Sequence, residues 1–171
     1  MLATGPWSRQ AGEWLGVPLP VDPLKGEILR TELPGAPLDH EFSGAHVSVY
    51  HRWDGLVRVG ATEENRGFDL QPSESARDAL LKGATRLMPA MAEAKIVKQT
   101  ACLRPVTPDW LPIIGKPPGY ENVVLATGAG KKGILLAPAM GKAAADLVAT
   151  GATRIPVAGL DPGRFTQPGA G

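Results

Sequence analysis

Chain-breaking residues set the limits on this fold. Of 171 residues, 21 are glycine and 17 are proline, and they recur along the chain, so long uninterrupted elements have few places to form. Two windows escape. Ser73 or Ser75 can cap a helix running to about Met88, with Leu80, Leu81, Ala84, Leu87 and Met88 on one face and Pro89 at its end. A second helix spans about 133–150, with Pro138 inside it as a bend or break. A shorter helix, 9–15, is read as capped by Ser8 and stopped at Gly16.

Between the helices the pattern is that of strands. Residues 1–5 read as a strand end running into a glycine turn, and 25–32 and 95–104 as strands. In 45–51 and 56–61, Val47, Val49, Val57 and Val59 alternate with polar neighbours, and Asp54-Gly55 between them favours a tight reversal. Residues 34–37 form a turn. The apolar run 122–127 is short enough for a buried strand, 154–157 is a weak strand candidate, and the chain from 151 on is a tail crossing the surface. The order predicts an α+β fold that ends in one β–loop–α unit.

Composition excludes several classes. Hydrophobic residues at 43 % supply a core, which argues against disorder. A net charge of +1 gives no electrostatic case for nucleic acid or an anionic membrane. The single cysteine permits no internal disulfide. No apolar run reaches the length of a membrane span and no signal peptide is read at Met1, so the expected location is cytoplasmic. His40, His46 and His51 do not form a metal set, and no nucleophile elbow is present.

Two segments carry chemistry. Gly128-Ala129-Gly130-Lys131-Lys132-Gly133 matches G-x-G-x-x-G between an apolar run and a helix, a context in which glycines and a helix N-terminus receive an anion or a polar cofactor edge. A complete dinucleotide site also needs an acid on a second strand about 20 residues on; Asp146 comes too early and Asp161 lies in the tail. The loop is therefore either a partial cofactor contact or a plain tight turn packing a helix on a sheet. Arg104, at the end of an apolar strand before Pro105, is a bidentate grip for a carboxylate, a plain surface arginine, or one half of a structural ion pair for which Asp109 is a candidate partner.

Further segments add to these: Ala-Thr-Gly-Pro-Trp-Ser at 3–8, Pro-Leu-Lys-Gly-Glu at 23–27, Val-Gly-Ala-Thr-Glu-Glu at 59–64 with Gly67-Phe68-Asp69, Leu-Arg-Pro-Val-Thr-Pro-Asp at 103–109, Leu-Pro-Ile-Ile-Gly at 111–115 and the run from Ala126 to Pro138. In this order they resemble the C-terminal half of the D-amino acid oxidase superfamily of flavoproteins, nearest its glycine oxidase branch, over about residues 1–165. The resemblance implies a mixed-sheet substrate domain with flanking helices, plus a β–loop–α piece of an incomplete Rossmann-type FAD domain. It divides the chain into an FAD-domain edge (1–20), a substrate domain (21–112), a flavin-contacting strand–loop–helix (113–151) and a tail (152–171).

The family's activity is hydride transfer from the carbon bearing the amine of glycine or another (D-)amino acid to flavin, leaving an imine. By resemblance, Arg104 grips the substrate carboxylate and Tyr50 lies on the strand over the flavin. Lys131 stands where many relatives carry the arginine of a Gly-His-x-Arg loop, and Ala129 where they carry its histidine. Ala3, Thr4, Gly5, Trp7, Gly128, Gly130, Lys132, Gly133 and Ile134 are the implied FAD contacts. Cys102 has the spacing to Thr107-Pro108-Asp109 of a branch with covalent flavin; without the rest of that branch's motif it reads as a buried structural cysteine. The N-terminal FAD fingerprint is absent from these residues, so the implied partner is an FAD-binding half, in cis or as another subunit, and the chain is expected to be inactive alone. The alternatives are a non-catalytic small-carboxylate-binding or subunit-interaction module and, third, a self-contained nucleotide-binding domain.

Overall fold

A computed structural model describes residues 1–35, 38–44 and 46–166. The expected turn at 34–37 and the expected strand start at Ala45 lie partly outside the described residues, as does the end of the tail. Two compact units are present: Lys25–Leu103, and Met1–Leu24 together with the chain from Arg104 onward.

The first unit is built on a sheet. β1 (Asp22–Glu32), β2 (Phe42–Ser43), β3 (Ser48–His51), β4 (Val57–Gly60) and β5 (Lys95–Val106) lie in the order β2-β3-β4-β1-β5. β2/β3, β3/β4 and β4/β1 pair antiparallel, and the register sets Val49, Val59 and Leu29 on one rung. Because side chains alternate along a strand, that rung and its neighbours Val47 and Val57 face one way. They meet Leu80 and Ala84 of α2 (Glu74–Leu87) and Met91 in a single core. Ser73 caps α2 by accepting from the Ala76 N–H at 3.2 Å. Gly83 lets the helix approach closely: a Cβ there would stand 2.9 Å from Val47 Cγ1. The β3–β4 hairpin turns at Gly55 (φ 77°), with Asp54 Oδ1 accepting from the Leu56 N–H.

The motif residues Lys25 and Glu27 form a buried charged pair in this unit, joined from the exposed side by Asp69. Lys25 and Glu27 are 1 % and 0 % exposed. Lys25 Nζ lies 2.9 Å from Asp69 Oδ2 and 3.3 Å from Glu27 Oε1. Glu27 also accepts from the Ser73 N–H and hydroxyl and from Gln99 Nε2. The hydrogen bond from Lys25 to Asp69 raises the ammonium pKa. Burial pushes the Glu27 carboxyl up, but its hydrogen bonds outweigh burial and hold it below its ordinary value. The cluster ties β1, β5, the Asp69–Gln71 turn and the α2 cap together, which gives these motifs a structural role.

In the other unit, β6 (Ile113–Gly115) and β7 (Leu125–Thr127) pair antiparallel, and Leu2 makes a parallel bridge to Leu125. Leu19, Val21, Ile113 and Leu125 form its core. α1 (Ser8–Leu15) ends at left-handed Gly16, and α3 (Gly133–Thr150) runs through Pro138 without a break.

Several expectations are corrected. Ser8 is inside α1 and does not cap it; its hydroxyl is buried, 2.6 Å from Thr127 Oγ1 and donating to the Gly5 carbonyl. Residues 154–157 form no strand. Asp109 pairs with Arg164, not Arg104. Cys102 is exposed, because its position on β5 faces outward. One helical stretch, Gly130–Thr150, is long and apolar enough to cross a membrane by length and composition (mean hydropathy 1.2), where the sequence reading found none.

Candidate functional site

A groove of about 300 Å³ lies in the unit that holds α3, and its lining is nearly all small side chains. Ala3 and Gly5 come from the chain start, Gly128 from the β7–α3 loop, and Gly133, Ala137, Gly141 and Ala144 from one face of α3. No lining residue is charged, and Met140 and Met1 are the largest. The loop shape depends on Gly128. Its φ is +74°, and a Cβ there would sit 2.8 Å from Thr107 Cγ2. α3 opens without a side-chain cap, so its first N–H groups and the positive end of its dipole face the loop.

Beside the groove, Val106 and Ala129 form an antiparallel bridge. The bridge is isolated, because the chain passes from Ala129 straight into a single 3-10 turn, Gly130–Lys132. Pro105 and Ala129 line the groove, and Arg104 and Lys131 are each two residues along the chain from a bridge partner.

Trp110 completes this corner. Lys131 Nζ lies over its indole, 5.1 Å from the ring centroid. Trp110 has φ 60°, the one positive φ outside glycine among the described residues, a conformation costing roughly 1–2 kcal/mol for an L-residue. The turn that holds it is heavily bonded. Thr107 Oγ1 donates to the Leu111 carbonyl, and Asp109 accepts from the Leu111 N–H. The Arg164 guanidinium then grips Asp109 and the carbonyls of Leu111 and Pro112. Burial pushes the Asp109 carboxyl up, but the bonds from Arg164, Leu111 and Thr107 hold it below its ordinary value.

The other sequence-predicted residues are more scattered. Thr4 bonds the Ser8 hydroxyl at 3.0 Å, Trp7 is half exposed, and Gly130 stands beside Val106 and Trp110. Lys132 is exposed, and Ile134 is 94 % exposed and does not line the groove. Tyr50 belongs to the sheet unit, where it lines a separate cavity of about 590 Å³ with His40, Ser48 and Arg52, and Arg52 stacks on its ring at 4.9 Å. Sequence reasoning missed Ala137, Gly141 and Ala144. The signal was available, since with Gly133 they recur at steps of four, four and three, a helical stripe of small residues.

The family model described as "FAD dependent oxidoreductase" matches residues 1–147. The chain belongs to that family. Glycine oxidase of Pseudomonas aeruginosa PAO1 is 34 % identical over 169 residues, covering 99 % of this chain and 45 % of that protein. Among solved structures, glycine oxidase from Geobacillus kaustophilus superposes with a TM-score of 0.88 at 31 % identity, over 93 % of this chain and 43 % of that one. L-proline dehydrogenase from P. horikoshii gives 0.85 at 26 % identity, over 96 % and 46 %. The chain therefore spans under half the length of these relatives. The groove presents an uncharged wall made mostly of glycine and alanine, with the β7–α3 loop and the start of α3 along it.

Proposed function

We propose that this chain is the substrate-binding and flavin-facing portion of an FAD-dependent enzyme that oxidises the amine of glycine or another small amino acid to an imine. The supporting observation is the uncharged groove of glycine and alanine beside the β7–α3 loop, with Arg104 and Lys131 each two residues along the chain from the Val106–Ala129 bridge. Arg104 offers a fork for a carboxylate and Lys131 a second positive charge. A substrate anchored there presents its amine-bearing carbon toward the groove, and fixed orientation supplies most of what hydride transfer requires. FAD, when bound, is the hydride acceptor. Ala3, Gly5, Gly128, Gly133 and Ala137 would lie against its ring system, and the α3 N-terminus would stabilise negative charge gathering at the ring edge.

The FAD-binding half is supplied in cis or by another subunit. The exposure of Ile134 and Leu135 (94 % and 77 %) at the start of α3 supports this, since large apolar side chains left bare side by side are often covered by protein.

The test is to purify the chain alone and with an FAD-binding half, and to record flavin absorbance and amino acid oxidation. Colour and turnover only in the combined protein are expected. In that protein Arg104→Ala raises KM for the amino acid by about ten- to a hundredfold, as loss of a charge-assisted pair requires. An unchanged KM would remove the carboxylate assignment. Carboxylate binding by the combined protein without turnover would favour the second reading, a non-catalytic binding module.

A further inference from the structure

The feature left unexplained at the site is Trp110. A large aromatic residue holds a left-handed backbone that glycine or asparagine adopts far more readily. Its side chain is 53 % exposed, so burial does not offset that strain. Strained residues persist where the surroundings over-determine them, and they gather at functional sites. Here the surroundings do so. The Trp110 N–H bonds the Thr107 carbonyl at 3.1 Å, Leu111 is held from both its N–H and its carbonyl, and Arg164 clamps the flanking Asp109. The result is an indole face fixed beneath the Lys131 ammonium, with Cε3 3.8 Å from where a Gly130 Cβ would stand. The ring therefore lies in ordinary contact distance of the loop.

We propose that Trp110 is a positioning residue for Lys131, holding its ammonium over the indole beside the β7–α3 loop so that it receives the substrate carboxylate. The inference rests on the reading of Lys131 as a carboxylate contact. Lysine is a point charge on a flexible four-carbon stem, and ordering that stem on binding costs entropy. A ring face under the ammonium attracts it electrostatically and restricts the stem before substrate arrives. Such a contact acts on substrate and transition state alike, so its loss appears in KM and leaves kcat in place.

The experiment uses the FAD-loaded protein with Trp110→Gly, Trp110→Phe, Lys131→Met and the Gly/Met double variant. Trp110→Gly removes the indole and suits φ 60°, so it relieves the backbone instead of straining it. It is expected to raise KM about two- to fivefold, the effect of an exposed cation–π contact. Trp110→Phe should restore most of that, and Trp110→Gly should add nothing once Lys131 is methionine. In NMR spectra, the Lys131 ε-methylene protons should be shielded in the wild type and lose that shielding in Trp110→Gly. If Lys131→Met raises KM while Trp110→Gly does not, or if the two add independently, the positioning role is wrong and the carboxylate reading stands. If Lys131→Met leaves KM unchanged, the inference falls with the Lys131 part of that reading, and Arg104→Ala then decides the remainder. Unshielded Lys131 protons in the wild type would also overturn it.

Discussion

Arg164 is the residue whose loss should most disturb the site without touching it. Its Nε and Nη2 reach Asp109 at 2.8 and 3.3 Å, Nη2 also reaches the Leu111 and Pro112 carbonyls at 3.0 and 3.1 Å, and Nη1 reaches those of Leu160 and Asp161 at 2.8 and 3.1 Å. The ion pair alone is worth little, about 0–1 kcal/mol, because the two side chains are 19 % and 35 % exposed. The carbonyls matter more. Hydrogen bonds from a charged donor contribute about 1.5–3 kcal/mol each when buried, and several sharing one donor group do not add. Arg164→Met keeps an apolar stem but loses the guanidinium stacked on Phe165 and should cost about 2–4 kcal/mol. Arg164→Lys keeps the charge but has no planar fork, so it should recover less than half. Urea unfolding gives the total, and hydrogen exchange at residues 107–112 gives the local part, which should rise in both variants. Stability within about 0.5 kcal/mol of wild type for Arg164→Met, with exchange at 107–112 unchanged, would show that the clamp does not hold the turn.

Gly128→Ala should destabilise by about 2–3 kcal/mol, from positive φ and from overpacking against Thr107, read as a lower urea midpoint. Ser8→Ala leaves buried Thr127 Oγ1 short of a partner and should cost about 1–3 kcal/mol in the same assay. The pH profile follows from the Lys25–Glu27 cluster. The Glu27 pKa is lowered in the fold, so its contribution is full above its ordinary 4.5 and is lost as pH falls through the folded value. The Lys25 pKa is raised, so its contribution is full below 10.5 and is lost as pH rises through the folded value. Urea midpoints should be level between these limits and fall outside them, and Glu27→Gln should flatten the acid limb.

What was legible in the sequence was local. The β3–β4 hairpin shows because Val47, Val49, Val57 and Val59 alternate and Asp54-Gly55 turns the chain within four residues of either strand. α2 shows through Ser73 and an apolar face at helical spacing. Two of the errors share one cause, which is a partner far along the chain. Ser8 looks like a cap until Thr127, 119 residues away, takes its hydroxyl. Asp109 looks like a partner for Arg104 until Arg164, 55 residues on, grips it. A side chain's nearest suitable charge in sequence is weak guidance when the tail folds back to supply a better one.

The glycine loop shows how far a motif can be read. G-x-G-x-x-G at 128–133 fixes a turn and an uncapped helix start, but many anions and cofactor edges satisfy that geometry. What narrows it lies past the motif's last letter. Gly133, Ala137, Gly141 and Ala144 continue the groove along α3, while Ile134 and Leu135 are outside that lining. At about 100° per residue, Lys142 and Asp146 fall on the same side of the helix as Leu135, and they form an ion pair there. The side opposite the small-residue stripe is therefore partly charged, although hydropathy averaged over the whole helix also fits a membrane span. Periodicity separates what the average merges.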